Sequence, residues 1–150
     1  PHKLVIVGGR HLFDYTRQVE EKIRNSGHIQ DIVIAQYIEE SDLPAVYNLA
    51  DILVYPSLLE GFGLPIIEAM SCGIPVVTSN VSSMPEVSGG AAILANPYDV
   101  YDLVEKVHGV LNNPELKSQL VQKGLNWSKN FSWGNVAGAM IKIYEACLYR

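Results

Sequence analysis

The stretch DILVYPSLLEGFGLPIIEAMSCGIPVVT, residues 51–78, decides the fold. It opens on an apolar run, Asp51 to Tyr55, that Pro56 must stop because proline cannot donate to a strand ladder. A loop with Gly61 and Gly63 follows. Pro65 is suited to the first turn of a helix, and Gly73 and Pro75 mark its end, so a helix is predicted over 65–71. The chain then re-enters an apolar run, Pro75 to Thr78. Strand, loop, helix and strand in this order make a βαβ unit, and its two strands must lie parallel.

The same alternation extends outward. Leu4–Val7 and Ile32–Ala35 are short apolar runs, and 91–95 is another. Runs that do not alternate with polar residues are read as parallel strands buried on both faces. Between the first two, Tyr15, Val19 and Ile23 recur every fourth residue, predicting a helix over 14–25 that Gly27 ends. Ser41 is placed to cap a short helix reaching Ala50. Beyond residue 99 the pattern is helical. Val100, Leu103, Val104, Val107, Val110 and Leu111 form one stripe, Leu116 and Leu120 lie on the next helix, and Ser132 caps a last one. That last helix is expected to turn Val136, Met140, Ile143 and Cys147 inward. The expected fold is α/β, a doubly wound Rossmann-like parallel sheet of about five strands with helices on both faces and a helical C-terminal part.

Composition narrows the function. The chain has 150 residues, enough for a core of its own. Only 18% of them are charged, against about 25% in an average soluble domain. That deficit points to a large buried fraction, or to faces that dock against something absent. No run of about 18 apolar residues offers a membrane span. Cys72 and Cys147 form no metal-binding or redox spacing and are read as buried apolar residues in a reducing compartment. The net charge is −5, and between Asn25 and Glu105 there are eleven acids, counting Glu105, and no Lys or Arg. A nucleic-acid site needs a basic stripe, so nucleic acid is excluded as a partner of this face. Carboxylates are acceptors for hydroxyls, which suits a sugar. The opening Pro1-His2-Lys3 runs straight into a strand and reads as a chain entered partway through a larger protein.

The loop between the strand at 51–55 and the helix at 65–71 carries the chemistry. Ligands of open parallel sheets bind beyond the carboxyl ends of the strands. A helix start offers free N–H groups and a positive dipole end. Gly61 and Gly63 let the backbone approach a phosphate. Ile66 stands where a dinucleotide fingerprint has its third glycine, so that fingerprint is absent. Glu60 and Glu68 flank this site. Both would repel a phosphate they touched, but each could take hydroxyls of a sugar or ribose beside it. The alternative for Glu68 is a surface acid stabilised by the helix dipole, and for Glu60 a solvated loop acid.

The blocks EGFGLPIIEAM (60–70), GIPVV (73–77), PEV (85–87), GGAA (89–92) and PYD (97–99), with Phe131-Ser132-Trp133 before the last helix, resemble the donor-binding domain of family-4 glycosyltransferases. These are retaining enzymes of the GT-B architecture, and the resemblance runs over essentially the whole chain. It implies that residues 1–150 are the C-terminal, nucleotide-sugar-binding domain, without its first βα unit and without the N-terminal acceptor domain. It implies a hexosyltransferase moving sugar from a nucleoside diphosphate to a glycan or lipid. No cofactor or metal is implied, the nucleotide sugar being a substrate. Such an enzyme would be cytoplasmic, at the inner membrane face where the absent half binds membrane.

Carried over residue by residue, the resemblance makes Glu60 the catalytic contact to hydroxyls of the transferred sugar. Gly61 and the backbone N–H groups of Phe62, Gly63 and Leu64 face sugar and diphosphate. Glu68 holds the ribose. Tyr37 and Ile38, after Gln36, border the base, although the family often has glycine where Gln36 stands. Residues 79–86 shape the sugar side. Phe62 and Tyr37 have the alternative of being packing aromatics, and Glu86 that of a helix cap. The chain departs from the family in its phosphate-binding cations. These belong to the absent βα unit, leaving Arg10 as the nearby candidate. The fragment is therefore expected to be inactive alone. Its sheet either closes in the order 2-1-3-4-5 or takes a strand from elsewhere. Two further readings are a non-catalytic nucleotide-sugar-binding module and a GT-B-type epimerase, the latter disfavoured by the Glu60–Glu68 block.

Overall fold

The computed structural model describes residues 2–8, 15–35 and 37–148. In chain order the elements are β1 (Leu4–Val7), α1 (Thr16–Asn25), a 3-10 turn (Ile29–Asp31), β2 (Ile32–Ala35), α2 (Leu43–Asn48), β3 (Leu53–Tyr55), α3 (Leu64–Ser71), β4 (Val76–Ser79), α4 (Met84–Ser88), β5 (Ile93–Ala95), α5 (Val100–Asn112), α6 (Pro114–Ser128) and α7 (Trp133–Leu148). The five expected strands and the expected helices are present, with ends shifted by up to two residues in most cases. Arg10, Gln36 and Asp14 lie outside the described residues.

The chain divides into two compact units, Pro1–Leu43 and Pro44–Arg150. In the first, β1 and β2 pair in parallel, from Leu4 opposite Ile32 to Val7 opposite Ala35. The expectation of strands buried on both faces fails here. Leu4, Val5, Val7, Val33 and Ile34 are exposed, and no residue of α1 is buried. Two strands and one helix do not make the layers needed to cover both faces of a sheet.

The second unit holds the core. Its sheet has the order β3-β4-β5, all parallel, with Leu53 opposite Val76 and Val77 opposite Ile93. Among the described residues, hydrogen-bonded pairing thus forms a two-stranded sheet in the first unit and a three-stranded sheet in the second. All four residues of the central β4 are buried. Their alternation feeds two cores. Val76 packs with Ile66, Ala69, Met70, Met84 and Val87 from α3 and α4. Val77 packs with Ala95, Val110 and Leu120, joined by Leu103 and Val107 of α5. Helices therefore cover both faces of this sheet, as the doubly wound fold requires. Each fully buried aliphatic side chain contributes about 1.5–3 kcal/mol.

Helix α6 serves both cores: Leu120 enters one, while Trp127 borders the other. Its approach to α3 depends on Gly124, where an added Cβ would stand 3.1 Å from Met70 Cγ. Helices α5 and α6 are capped from the side chains that precede them. Asp99 accepts from the N–H groups of Tyr101 and Asp102, and Asn113 from that of Leu116.

The last helix differs from expectation in its packing. Ser132 caps it as predicted, accepting from Asn135 N–H at 3.1 Å. Val136, Met140, Ile143 and Cys147, expected inward, are all exposed. In α5, Val100 and Val104 are exposed as well. An apolar stripe records that a face needs cover, and nothing among the described residues covers these. No helix among the described residues is long and apolar enough to cross a membrane.

Candidate functional site

Strand β3 delivers the chain at Pro56 into the loop 57–63, and α3 begins at Leu64. The two loop glycines have different reasons to be glycine. Gly63 has φ +108°, and a Cβ there would press to 3.3 Å from Ile66 Cδ1. The backbone itself demands glycine at this position. At Gly61 a Cβ would meet nothing within 4 Å. The packing of the described residues does not explain that glycine.

Serines at the end of β4 and just after it hold the loop in place. Ser79 Oγ donates to Ser57 O. Ser82 Oγ accepts from Glu60 N–H at 3.2 Å and donates to Glu60 O at 3.1 Å. Ser83 Oγ has one hydrogen to give, and its short contact, 2.7 Å, is to Phe62 O. Ser82 has φ +57°, alone among the described non-glycine residues in being left-handed. That conformation costs about 1–2 kcal/mol, offset here by the paired bonds to Glu60. The ring of Phe62 meets Phe131 edge to face at 5.9 Å, and Phe131 meets Trp127 in the same way at 5.7 Å. Trp127 Nε1 in turn donates to Val87 O at 2.7 Å.

Both carboxylates are held by tyrosine. Glu60 Oε1 accepts from Tyr55 OH at 2.6 Å and from Ser57 Oγ at 2.8 Å. Glu68 Oε2 accepts from Tyr47 OH at 2.8 Å. Among the described residues neither Glu60 Oε2 nor Glu68 Oε1 has a protein donor. Burial pushes both tyrosine hydroxyls well above the usual phenol range, and the adjoining carboxylates push them further. Tyr55 feels the charge of Glu68 as well as that of Glu60, so the two acids share one neighbourhood. The ion pairs seen, Lys106–Asp102 and Lys117–Asp51, involve neither of them.

Between the carboxylates lies the start of α3. Ile66 N–H bonds back to Gly63 O at 3.0 Å, and Pro65 has no N–H. The N–H groups of Phe62, Gly63 and Leu64 have no acceptor among the described residues. Free donors at the positive end of a helix attract an anion. The site can thus accept hydroxyls on two sides and stabilise negative charge in the middle. Among the described residues no group of three His, Cys, Asp or Glu is placed to hold a metal ion.

Of the residues singled out from sequence, Glu60, Gly61, Phe62, Gly63, Leu64 and Glu68 come together on this one loop and helix. Tyr37, exposed, and Ile38, half-buried, belong to the first unit. Glu86 is exposed in the first turn of α4. Sequence reading did not single out Tyr47, Tyr55, Ser57 or Ser82 individually.

A sequence profile described as "Glycosyl transferases group 1" matches residues 1–127. The chain belongs to this family. Within the matched stretch of this group 1 chain lie both carboxylates, the loop between them and every strand, while α7 lies beyond it. Among curated relatives, the O-antigen chain mannosyltransferase B of Escherichia coli is 45% identical over 109 residues, which are 73% of this chain and 29% of that protein. Among solved structures, the sucrose-phosphate synthase of Thermosynechococcus elongatus superposes with a TM-score of 0.86 at 26% identity, over 98% of this chain and 39% of the other. HepE of Anabaena, solved with UDP and glucose, superposes at 0.85 with 21% identity over 95% of this chain and 40% of that one, a likeness of fold. The group 1 chain therefore spans 29 to 40% of the length of these proteins. Its fold is that of the Rossmann-like C-terminal domain of GT-B glycosyltransferases.

Proposed function

We propose that residues 1–150 form the nucleotide-sugar-binding domain of a retaining glycosyltransferase that moves a hexose onto a glycan or lipid hydroxyl. The mannosyltransferase relative supports mannose as the hexose and a polysaccharide as the product. What carries the reading is the pair of tyrosine-held carboxylates on either side of the free N–H groups of Phe62, Gly63 and Leu64. Glu60 takes hydroxyls of the transferred sugar through Oε2. Glu68 takes the ribose. The diphosphate lies against the N–H groups, with Gly61 leaving room for it.

The reaction breaks the bond between the anomeric carbon and the diphosphate oxygen. The acceptor oxygen attacks from the face the diphosphate leaves, which keeps the anomeric configuration, and the acceptor proton passes to the departing phosphate. Charge develops on the leaving group, where the helix start stabilises it. Glu60 Oε1 already accepts two hydroxyl hydrogens, so this carboxylate suits binding the sugar better than attacking it. No Lys or Arg lies between residues 25 and 105. The remaining phosphate charge falls to cations outside that stretch, those of a longer glycosyltransferase included, since this chain spans 29 to 40% of the length of the proteins it matches. The isolated chain is accordingly expected to be inactive.

Calorimetric titration with nucleoside diphosphates and their hexose conjugates, repeated on Glu68→Ala, tests the site. Selective binding that Glu68→Ala abolishes is the expected result. Binding that survives in Glu68→Ala unchanged would remove Glu68 from the site. Release of a free epimeric nucleotide sugar by the full-length protein would replace the transferase reading with the epimerase one.

A further inference from the structure

Glutamate is a poor choice for reading a hydroxyl unless something fixes its carboxylate. The terminal torsion of Glu is broad and roughly two-fold, so both oxygens exchange freely in an unrestrained side chain. Here both glutamates are restrained in the same manner. Tyr47 OH lies 2.8 Å from Glu68 Oε2, and Tyr55 OH lies 2.6 Å from Glu60 Oε1, with Ser57 Oγ on the same oxygen. In each pair the other oxygen has no donor among the described residues. The tyrosine rings pack against the core of Ile66, Met70 and Val76, which fixes where their hydroxyls stand.

We infer that Tyr47 and Tyr55 are positioning residues: each holds one oxygen of its glutamate so that the opposite oxygen is presented to a sugar hydroxyl, Tyr47 for the ribose and Tyr55 for the hexose. The inference rests on the donor-site reading above and deepens it. A phenol is suited to the task because it gives a single hydrogen and no charge. Arg or Lys in the same place would neutralise the carboxylate, and Arg would engage both oxygens at once. The absence of Lys and Arg from residues 26–104 keeps both carboxylates free of such a partner from that stretch. Burial and the neighbouring acids also hold both phenols in the protonated, donating form. Glu60 is restrained further through its backbone, which is paired with Ser82.

The two assignments are separable by ligand. The full-length protein, Tyr47→Phe, Tyr55→Phe and Glu68→Gln are titrated with UDP and GDP, their 2′,3′-dideoxy analogues, UDP-glucose and GDP-mannose. Phenylalanine keeps the ring and its packing and removes only the hydroxyl. In the parent protein, loss of the ribose hydroxyls is expected to weaken binding about tenfold or more, as hydrogen bonds to a charged group do. Tyr47→Phe shrinks that ratio about threefold or more and leaves the ratio between hexose conjugate and free diphosphate as it was. Tyr55→Phe does the reverse. Uniform weakening of every ligand by either variant would mean that its hydroxyl only supports the fold, and would overturn its role as a positioning residue. The donor-site reading fails in a different way. If the parent protein does not discriminate against the dideoxy ligands, or if Glu68→Gln discriminates as well as the parent, Glu68 does not read the ribose and the inference falls with it.

Discussion

Gly89 and Gly90 are adjacent glycines, both left-handed, with φ of +53° and +76°. Alanine at either position carries the left-handed penalty of about 1–2 kcal/mol. Their surroundings differ. A Cβ on Gly90 would meet nothing within 4 Å, whereas one on Gly89 would lie 2.1 Å from Trp127 Cε2 and 2.2 Å from Cζ2. No flexible chain end can yield there, so the whole indole must move. Moving it breaks the Nε1–H bond to Val87 O, worth about 1 kcal/mol, and forces overpacking of about 1–3 kcal/mol on its neighbours. Gly89→Ala is therefore expected to destabilise the second unit by about 3–6 kcal/mol, and Gly90→Ala by about 1–2 kcal/mol. Urea unfolding followed by far-UV circular dichroism measures both without relying on the displaced tryptophan. Trp127→Leu in the Gly89→Ala background should recover part of the loss, because the two changes share one contact. Equal destabilisation by Gly89→Ala and Gly90→Ala would refute the argument.

Two other predictions concern the site. Gly63→Ala should cost about 2 kcal/mol or more of stability through its backbone conformation and its approach to Ile66, whereas Gly61→Ala should leave stability within about 0.5 kcal/mol and weaken diphosphate binding; denaturation and titration of both variants separate the two effects. Tyr47 and Tyr55 have hydroxyl pKa values raised in the folded state. The unfolded chain then loses these protons first, so their contribution is complete below about pH 10 and falls away above it. Stability should decline above about pH 10, and Tyr47→Phe with Tyr55→Phe should flatten the decline; an unchanged slope would show that other groups set it.

Some of this was legible from residue order alone. β1 and β2 match the runs Leu4–Val7 and Ile32–Ala35 because each is bounded by polar or turn residues. The start of α3 was marked by Pro65, and Glu60 and Glu68 by the glycines between them. Burial was another matter. Periodicity shows which face of a helix is apolar, and it puts Val136, Met140 and Ile143 on one stripe, but it carries no information on whether a partner surface is present. The tyrosines and Ser82 were unmarked for a different reason. Their bonds span 5 to 22 residues of sequence and follow no period. Only the parallel pairing of β3 with β4 brings the residues after β4 alongside the loop after β3, and a hydroxyl so placed has no signature in composition or spacing.

The run of rings from Phe62 through Phe131 to Trp127 also has an optical consequence. The chain contains two tryptophans, and the second, Trp133, is 89% exposed. With Trp133→Phe the remaining emission comes from an indole that is half-sheltered and one ring removed from the loop holding Glu60. Its emission then reports on the packing of Phe131, the ring that also touches Phe62, so the protein carries its own light source beside that loop, without an attached dye.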